Sequence, residues 1–319
     1  MSLVSSGCQK KEAPKTGDPT ATADPATSGD PTSSGTGDAG GDSGGDTGGG
    51  AEAGGIPSEE ISIPASDRNI LYGKLYDPSQ MLETDAESDS SASQSQETQI
   101  AAQKYPLVIL LHALDGSYRD WGKLPAKLVA KGYAVFAMDL RGHGKSAYKE
   151  GSDSGLSWRE FEESDWKKYP RDITQVIDFF AHTEDYPQVN AKQVSIVGAS
   201  IGANTALVAG LKNLSSVKTV IALSPGEDYK GIKPGSQLVT YNHPILFLVS
   251  QSDTYAYNST QVLYRLASGE KAIHLYKNIG HGTDMLHNDP KVEGSIVDWI
   301  VKYMPGNAFF EVKPSASKP

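Results

Sequence analysis

From Glu59 onward, short apolar runs alternate with segments of helical periodicity, and this alternation limits the possible folds more than any other feature. A continuous apolar run indicates a strand buried on both faces, as in a parallel sheet covered by helices. The sequence therefore predicts an α/β protein with a mostly parallel, doubly wound sheet and helices on both faces. The predicted strands are YPLVILLHA, YAVFAMDL, VSIVGAS, VKTVIALS, HPILFLVS and AIHLYKN.

The segment EISIPASDRNILYGKLYDP precedes these runs and predicts an N-terminal antiparallel hairpin with its turn near residues 66–68. Helices are expected over about residues 121–131 and 293–302. Only about twenty residues join the strand that ends at Ser224 to the next strand, too few for a large cap domain. The connection over residues 147–170 has room for one or two short helices.

Two segments lack the large apolar side chains that a folded core requires. Residues 1–57 are built almost wholly from Gly, Ser, Thr, Asp, Ala and Pro, and residues 79–103 are similarly polar. Such compositions cannot offset the entropy of ordering the backbone, so we predict a disordered tether and a disordered surface loop. One folded domain is expected over residues 58–305, followed by a tail over residues 306–319.

The formal net charge of −10 is concentrated in these polar segments. The tether carries eight acidic and three basic residues, and the loop carries five acidic residues and no basic one. The remaining chain has equal numbers of acidic and basic residues. No basic face for nucleic acid or anionic lipid is therefore predicted.

A possible nucleophile lies in the pentapeptide Gly198-Ala199-Ser200-Ile201-Gly202, which matches G-x-S-x-G. The motif stands between an apolar run and a helix, where small residues permit the tight strand-to-helix turn that exposes a reactive serine. The helix N-terminus would also favour developing negative charge. The alternative is a glycine-rich turn with an incidental serine.

A serine hydroxyl needs a base to remove its proton, and His281 is the predicted base. It lies between two glycines directly after the last predicted strand, and His287 is the reserve candidate. The other histidines are expected to be structural or surface residues: His112, His143, His182, His243 and His274.

The base in turn needs an acid to hold its tautomer, and Asp253 is the predicted acid. It follows the run HPILFLVS at the carboxyl end of a strand, where open α/β sheets place their functional groups. The chain order serine, aspartate, histidine is the order that this arrangement requires. Asp284 and Asp228 remain alternatives.

The stretches LLHALDGSYRDW, DLRGHGKS, GASIGAN, the strand ending at Asp253 and GHGTDML together resemble the α/β-hydrolase superfamily, most closely its capless esterases and dienelactone-hydrolase-like members. The resemblance covers roughly residues 61–303. It implies an oxyanion hole formed by the backbone N–H groups of Ile201 and Leu114. The chain departs from the family at Ala113, where a glycine is usual. The DLRGHGKS turn is mainly architectural in the family, and neither a metal nor a cofactor is expected.

These features predict a serine hydrolase that cleaves small-molecule carboxylic esters through an acyl-enzyme. A serine peptidase or thioesterase on the same triad is the first alternative, and a non-catalytic surface binding module is the second. The aromatic residues Trp158, Phe161 and Trp166 either border the cleft or pack in the core. The oligomeric state stays open.

The one cysteine, Cys8, excludes a disulfide within the chain and a cysteine-based zinc site. Its context, Gly7-Cys8 followed by Gln9 and two lysines and then the long tether, resembles the start of a mature bacterial lipoprotein. That resemblance implies an acylated Cys8 and an extracytoplasmic protein held to a bacterial membrane by lipid alone. A secreted protein is the alternative.

Overall fold

The computed structural model describes residues 56–80, 103–151 and 155–307. Three predicted segments lie largely outside this part of the chain. They are the tether, of which only the last two residues are described, the surface loop and the C-terminal tail. Eight strands are present in it: β1 Glu59–Pro64, β2 Ile70–Tyr76, β3 Tyr105–Leu111, β4 Ala134–Met138, β5 Val189–Ala199, β6 Val217–Leu223, β7 Ile245–Ser250 and β8 Lys271–Tyr276.

The helices alternate with the strands as the sequence predicts. They are α1 Leu124–Val129, α2 Glu163–Trp166, α3 Tyr169–His182, α4 Ile201–Lys212, α5 Gly235–Leu238, α6 Thr254–Leu266, α7 Asp284–Asn288 and α8 Lys291–Tyr303. Short 3-10 helices cover Tyr118–Trp121, Gly144–Ser146 and Trp158–Glu160. No helix among the described residues has both the length and the apolar character to cross a membrane.

All eight strands form one sheet in the order β1-β2-β4-β3-β5-β6-β7-β8. The hairpin β1–β2 is antiparallel and joins β4 in antiparallel register, whereas the strands from β4 to β8 are parallel. The predicted mostly parallel sheet and N-terminal hairpin are therefore confirmed. The chain reverses direction across the sheet between β3 and β5, so the loops after these two strands diverge and leave a crevice.

Successive residues of the central strands point to opposite faces, and helices cover both faces. Leu107 and Ile109 pack with α3 and α4 on one face, while Val108 and Leu110 pack with α1 and α8 on the other. Because both faces are covered, β3 and β4 are buried at every position. This burial explains the continuous apolar runs in the sequence.

The helix expected over residues 121–131 is shorter in the structure, where α1 covers Leu124–Val129. A 3-10 turn ends at Trp121, Gly122 follows with a φ of 52°, and α1 then begins at Leu124 with proline at its second position. The final helix begins two residues earlier than predicted, at Lys291. The 147–170 connection contains two short helices, and no large cap is present in the described residues.

Candidate active site

The candidate site lies at the carboxyl ends of the parallel strands, beside the crevice between β3 and β5. Ser200 directly follows β5, and the loop that begins at His112 directly follows β3. Asp253 and His281 follow β7 and β8 in the same way. Since parallel strands end at one edge of the sheet, the topology brings these distant parts of the sequence to one side of the molecule.

Ser200 occupies a strained turn between β5 and α4. Its φ is 55° and its ψ is −120°, a backbone conformation that residues other than glycine rarely adopt. Its N–H donates to the Leu223 carbonyl oxygen at 2.9 Å, which fixes the turn to the neighbouring strand. A side chain at Gly202 would collide with the Leu111 carbonyl oxygen, so the helix packs this closely only because the position is glycine. This is the geometry of a nucleophile elbow.

Asp253 and His281 form a hydrogen bond. His281 Nδ1 and Asp253 Oδ2 are 2.5 Å apart, while the other oxygen, Oδ1, accepts the Ala256 N–H at 3.3 Å. Asp253 is therefore the N-cap of α6, and the cap holds its carboxylate in place. The His281 side chain is 41% exposed and that of Asp253 is 15% exposed. The ring therefore remains open to solvent on one side.

The loop carrying His281 lies against the Ser200 turn. A Cβ built on Gly282 would be 3.6 Å from the Ala199 Cβ and 3.8 Å from the Ser200 Cβ. The Gly282 N–H donates to Ser224 Oγ at 3.0 Å, and the Ile279 N–H donates to Ser250 Oγ at 3.1 Å. These serines follow or end the two strands between Ser200 and the loop. They hold His281 on the same side of the sheet as the nucleophile.

The alternative acids and the reserve base have other surroundings. Asp228 forms an ion pair with Lys233 at 3.0 Å and accepts the Gly231 N–H at 2.7 Å. Asp284 is exposed at the start of α7. His287 is exposed on the same helix, beside Gly122. Of the candidates that the sequence left open, only Asp253 and His281 are hydrogen-bonded to each other in the described residues.

The expected oxyanion loop is held by a buried histidine. His112 Nδ1 donates to the Ala113 carbonyl oxygen at 2.6 Å, and its Nε2 accepts the Leu140 N–H at 2.9 Å. Burial lowers the pKa of His112 to about 4, so the ring stays neutral and keeps both contacts. The two bonds fix the peptide that carries Leu114. Ile201 begins α4, where a backbone N–H has no partner inside the helix.

The departure at Ala113 fits this arrangement. A Cβ built on Gly282 would lie 3.3 Å from the Ala113 methyl group, so that methyl group faces the loop of His281. The methyl group therefore occupies space that the glycine at position 282 leaves free. The alanine fits beside Gly282 for this reason.

The three aromatic residues of the 147–170 connection pack mainly in the core. Trp158 stacks on His143 with ring centroids 5.3 Å apart, and Phe161 contacts Trp166 edge-on at 5.1 Å. Trp166 also borders a cavity of about 270 Å³ that is lined by charged side chains of α2 and of the loop after β6. The core interpretation therefore holds for Trp158 and Phe161, and Trp166 is buried in the core as well as bordering this cavity.

Sequence reasoning did not identify three residues that shape this site. Ser224 has a φ of 48° and anchors the His281 loop, Asn204 binds both ends of the loop after β6, and Tyr229 faces His281. Ser224 directly follows a strand, so its position was a usable signal. Tyr229 lies in an irregular loop and carries no such signal.

In the described residues no cluster of three metal-ligating side chains occurs.

Comparison with known proteins supports the fold assignment. Residues 102–239 match the family model described as serine aminopeptidase, S33. The match covers less than half of the chain, and the architecture described above is that of the α/β-hydrolase fold. Comparison with curated sequences gives no match.

Solved structures with this fold are similar over most of their length. A dienelactone hydrolase from Anabaena variabilis superposes with a TM-score of 0.57 at 16% identity, over 77% of this chain and 98% of that one. An esterase from Pyrococcus furiosus gives 0.56 at 15% identity, over 78% and 91%. The esterase Est1E from Butyrivibrio proteoclasticus, with ferulic acid bound, gives 0.55 at 15% identity, over 76% and 98%.

Proposed function

We propose that this protein is a serine hydrolase that cleaves small-molecule carboxylic esters, with Ser200 as nucleophile, His281 as base and Asp253 as acid. The observation that carries the proposal is the Asp253–His281 hydrogen bond on a loop that packs against the strained turn of Ser200. A structural role alone does not require a strained serine, a half-exposed histidine and a helix-capping carboxylate to meet at one strand edge.

The proposed reaction follows from these contacts. Asp253 accepts a hydrogen bond from the Nδ1–H group of His281, which keeps the proton on Nδ1 and leaves Nε2 unprotonated and able to take the proton from Ser200 Oγ. The serine oxygen then attacks the ester carbonyl carbon, and the N–H groups of Ile201 and Leu114 hold the resulting oxyanion. His281 returns the proton to the leaving alcohol. Water, activated by the same histidine, then hydrolyses the acyl-enzyme and restores Ser200.

The comparisons point toward two substrate classes. The structural neighbours include esterases, one of them with ferulic acid bound, whereas the matching family model is named for aminopeptidases. An aminopeptidase must hold a substrate ammonium group, which a carboxylate does best. In the loop beside Ser200, the Asp228 carboxylate is already paired with Lys233. This pairing favours an ester substrate over an amino-terminal peptide.

A fluorophosphonate probe tests the assignment of the nucleophile. We expect the wild type to be labelled stoichiometrically and Ser200→Ala to remain unlabelled and to lose ester turnover by several orders of magnitude. Ser195→Ala is the matched control, because it removes a buried hydroxyl from β5, the strand that leads to Ser200, and this hydroxyl has no hydrogen-bond partner in the part of the chain that the structure describes. Retention of more than about a tenth of the activity in Ser200→Ala contradicts the proposal. Initial rates on p-nitrophenyl esters and aminoacyl p-nitroanilides then separate an esterase from a peptidase.

The predicted lipid on Cys8 is a separate proposal, since the cysteine lies outside the described residues. The composition around it supports a lipid-anchored extracytoplasmic protein. Mass spectrometry of the amino-terminal peptide from natively produced protein tests it. An unmodified cysteine thiol in that peptide contradicts it.

A further inference from the structure

The loop after β6 is held rigidly beside the nucleophile. Asn204, which is fully buried in α4, accepts the Gly226 N–H at 3.0 Å and donates to the Ile232 carbonyl oxygen at 2.8 Å. Tyr229 and Ile232 also exchange backbone hydrogen bonds, at 3.3 and 2.9 Å. Because α4 begins directly after Ser200, this arrangement fixes Tyr229 relative to the serine.

The Tyr229 side chain contacts three residues of the candidate site, His281, Ser224 and Ser200. Its ring stands edge-on to His281, with centroids 6.4 Å apart and an interplanar angle of 83°. Its hydroxyl donates to the Ser224 carbonyl oxygen at 3.3 Å and also contacts the Ser200 side chain. The bond to Ser224 is long for an O–H donor, so the proton is held only weakly there.

The charge state of Tyr229 makes it a donor. Burial and the nearby Asp253 carboxylate raise its pKa above the ordinary tyrosine value, and the contact with Ser200 lowers it only partly. The phenol therefore keeps its proton throughout the pH range in which a histidine base works. A neutral hydroxyl beside an oxygen that is losing a proton gains a stronger hydrogen bond as negative charge develops.

We propose that Tyr229 is a further catalytic residue, whose hydroxyl turns from the Ser224 carbonyl oxygen to Ser200 Oγ as the serine gives its proton to His281. The proposal rests on the proposed function of Ser200. The phenol proton stays on Tyr229 throughout, and only its hydrogen-bond acceptor changes. Because the bond is stronger to the negatively charged oxygen than to the resting hydroxyl, it stabilises the transition state more than the ground state.

Tyr229→Phe tests the proposal, since it keeps the ring and removes the hydroxyl. We expect kcat/KM for a p-nitrophenyl ester to fall about three- to tenfold, the amount that one net hydrogen bond contributes. The loss should appear in kcat with KM changed less than about twofold. The rate of fluorophosphonate labelling should fall by the same factor, since it also depends on attack by Ser200. Turnover is expressed per serine that the probe labels at completion, so misfolded protein does not affect the ratio of variant to wild-type turnover.

Two controls separate a catalytic hydroxyl from a structural one. Tyr133→Phe removes a hydroxyl that also donates to a backbone carbonyl oxygen, that of Met304, and Tyr255→Phe removes a hydroxyl that binds the Asp228 backbone in the same loop. Both should retain turnover per labelled serine within about twofold. The proposal is overturned if Tyr229→Phe matches the wild type, or if Tyr255→Phe loses as much activity. An unlabelled wild type would instead overturn the proposed function of Ser200.

Discussion

The tripeptide Gly-His-Gly occurs twice in this chain, and the structure gives the two copies different surroundings. Residues 142–144 and 280–282 both follow strands, both have glycines with positive φ, and both have an aspartate close by. His143 is only 3% exposed, and its ring stacks on Trp158. His281 has a side chain that is 41% exposed, and the next residue, Gly282, packs against the turn of Ser200.

The difference lies in what each aspartate binds. Asp139 uses its two oxygens to accept the backbone N–H groups of Tyr118 and Lys145, both at 2.9 Å, and so stabilises a turn. Asp253 uses one oxygen to cap α6 and the other to bind His281. A histidine between glycines near a carboxylate therefore does not always form a hydrogen bond with that carboxylate. The partners of the carboxylate distinguish the two, because both Asp139 oxygens bind backbone N–H groups whereas one Asp253 oxygen binds His281.

The largest expected effect is that of Asp253→Asn. The amide keeps the shape of the site but no longer holds the His281 tautomer, so we expect ester kcat to fall about 10³- to 10⁴-fold. Steady-state kinetics per mole of folded protein measure this loss. Asp284→Asn and Asp228→Asn are the controls and should each cost less than about threefold. If either of them were the crippling change, the acid would have to be reassigned.

The second prediction concerns the other aspartate. Asp139→Asn places an amide where one buried and one partly buried N–H group need acceptors, so at least one is left unsatisfied, at about 1–3 kcal/mol of unfolding free energy. Chemical denaturation at pH 7 measures the loss. Turnover per labelled serine should stay within about threefold of the wild type. A severe loss of turnover with normal stability would show that this pair also takes part in catalysis.

The third prediction uses the pH dependence of stability. Burial, and secondarily the neighbouring His112, lower the pKa of His143 to about 4, from the ordinary value near 6.5. Between these values the unfolded chain takes up a proton that the folded protein does not. This histidine therefore lowers the unfolding free energy by about 1.4 kcal/mol for each unit that the pH falls from about 6.5 to 4.

His143→Phe keeps an aromatic ring against Trp158 and removes the imidazole that takes up this proton in the unfolded chain. In denaturant titrations at pH 7, 6 and 5, we expect the stability of the variant to decline less steeply than that of the wild type, by about one proton's contribution. A variant at His182, at the exposed end of α3, is the control and should follow the wild type. Parallel curves for His143→Phe and the wild type would contradict the burial of a neutral ring at this position.

The smallest effect is expected at the reserve base. His287 is exposed on α7, so His287→Gln should change ester kcat/KM less than about twofold and leave the melting temperature within about 1 °C. A thousandfold loss in this variant would move the base from position 281 to position 287.

Much of this arrangement was predictable because its signals are local. The strained turn at Ser200 follows from small residues between an apolar run and a helix, and the continuous apolar runs follow from strands covered on both faces. The predicted start of the helix over residues 121–131 was wrong. Gly122 has a positive φ and Pro125 lies in the first turn of α1, so the helix begins only at Leu124. The apolar spacing on which the prediction depended continues across this boundary and does not reveal it.

By itself, the sequence determined the sheet class, the serine turn and the order of the candidate residues, since each depends on neighbours within a few positions. Only the tertiary structure decided which aspartate binds His281, why Ala113 fits beside Gly282, and that Tyr229 reaches Ser200. These contacts join residues 28 or more positions apart, and they depend on strand order, loop anchoring and hydrogen-bond capacity. The sequence lists the groups that a site requires, but packing determines which of them meet, because their contacts depend on the positions of loops far apart along the chain.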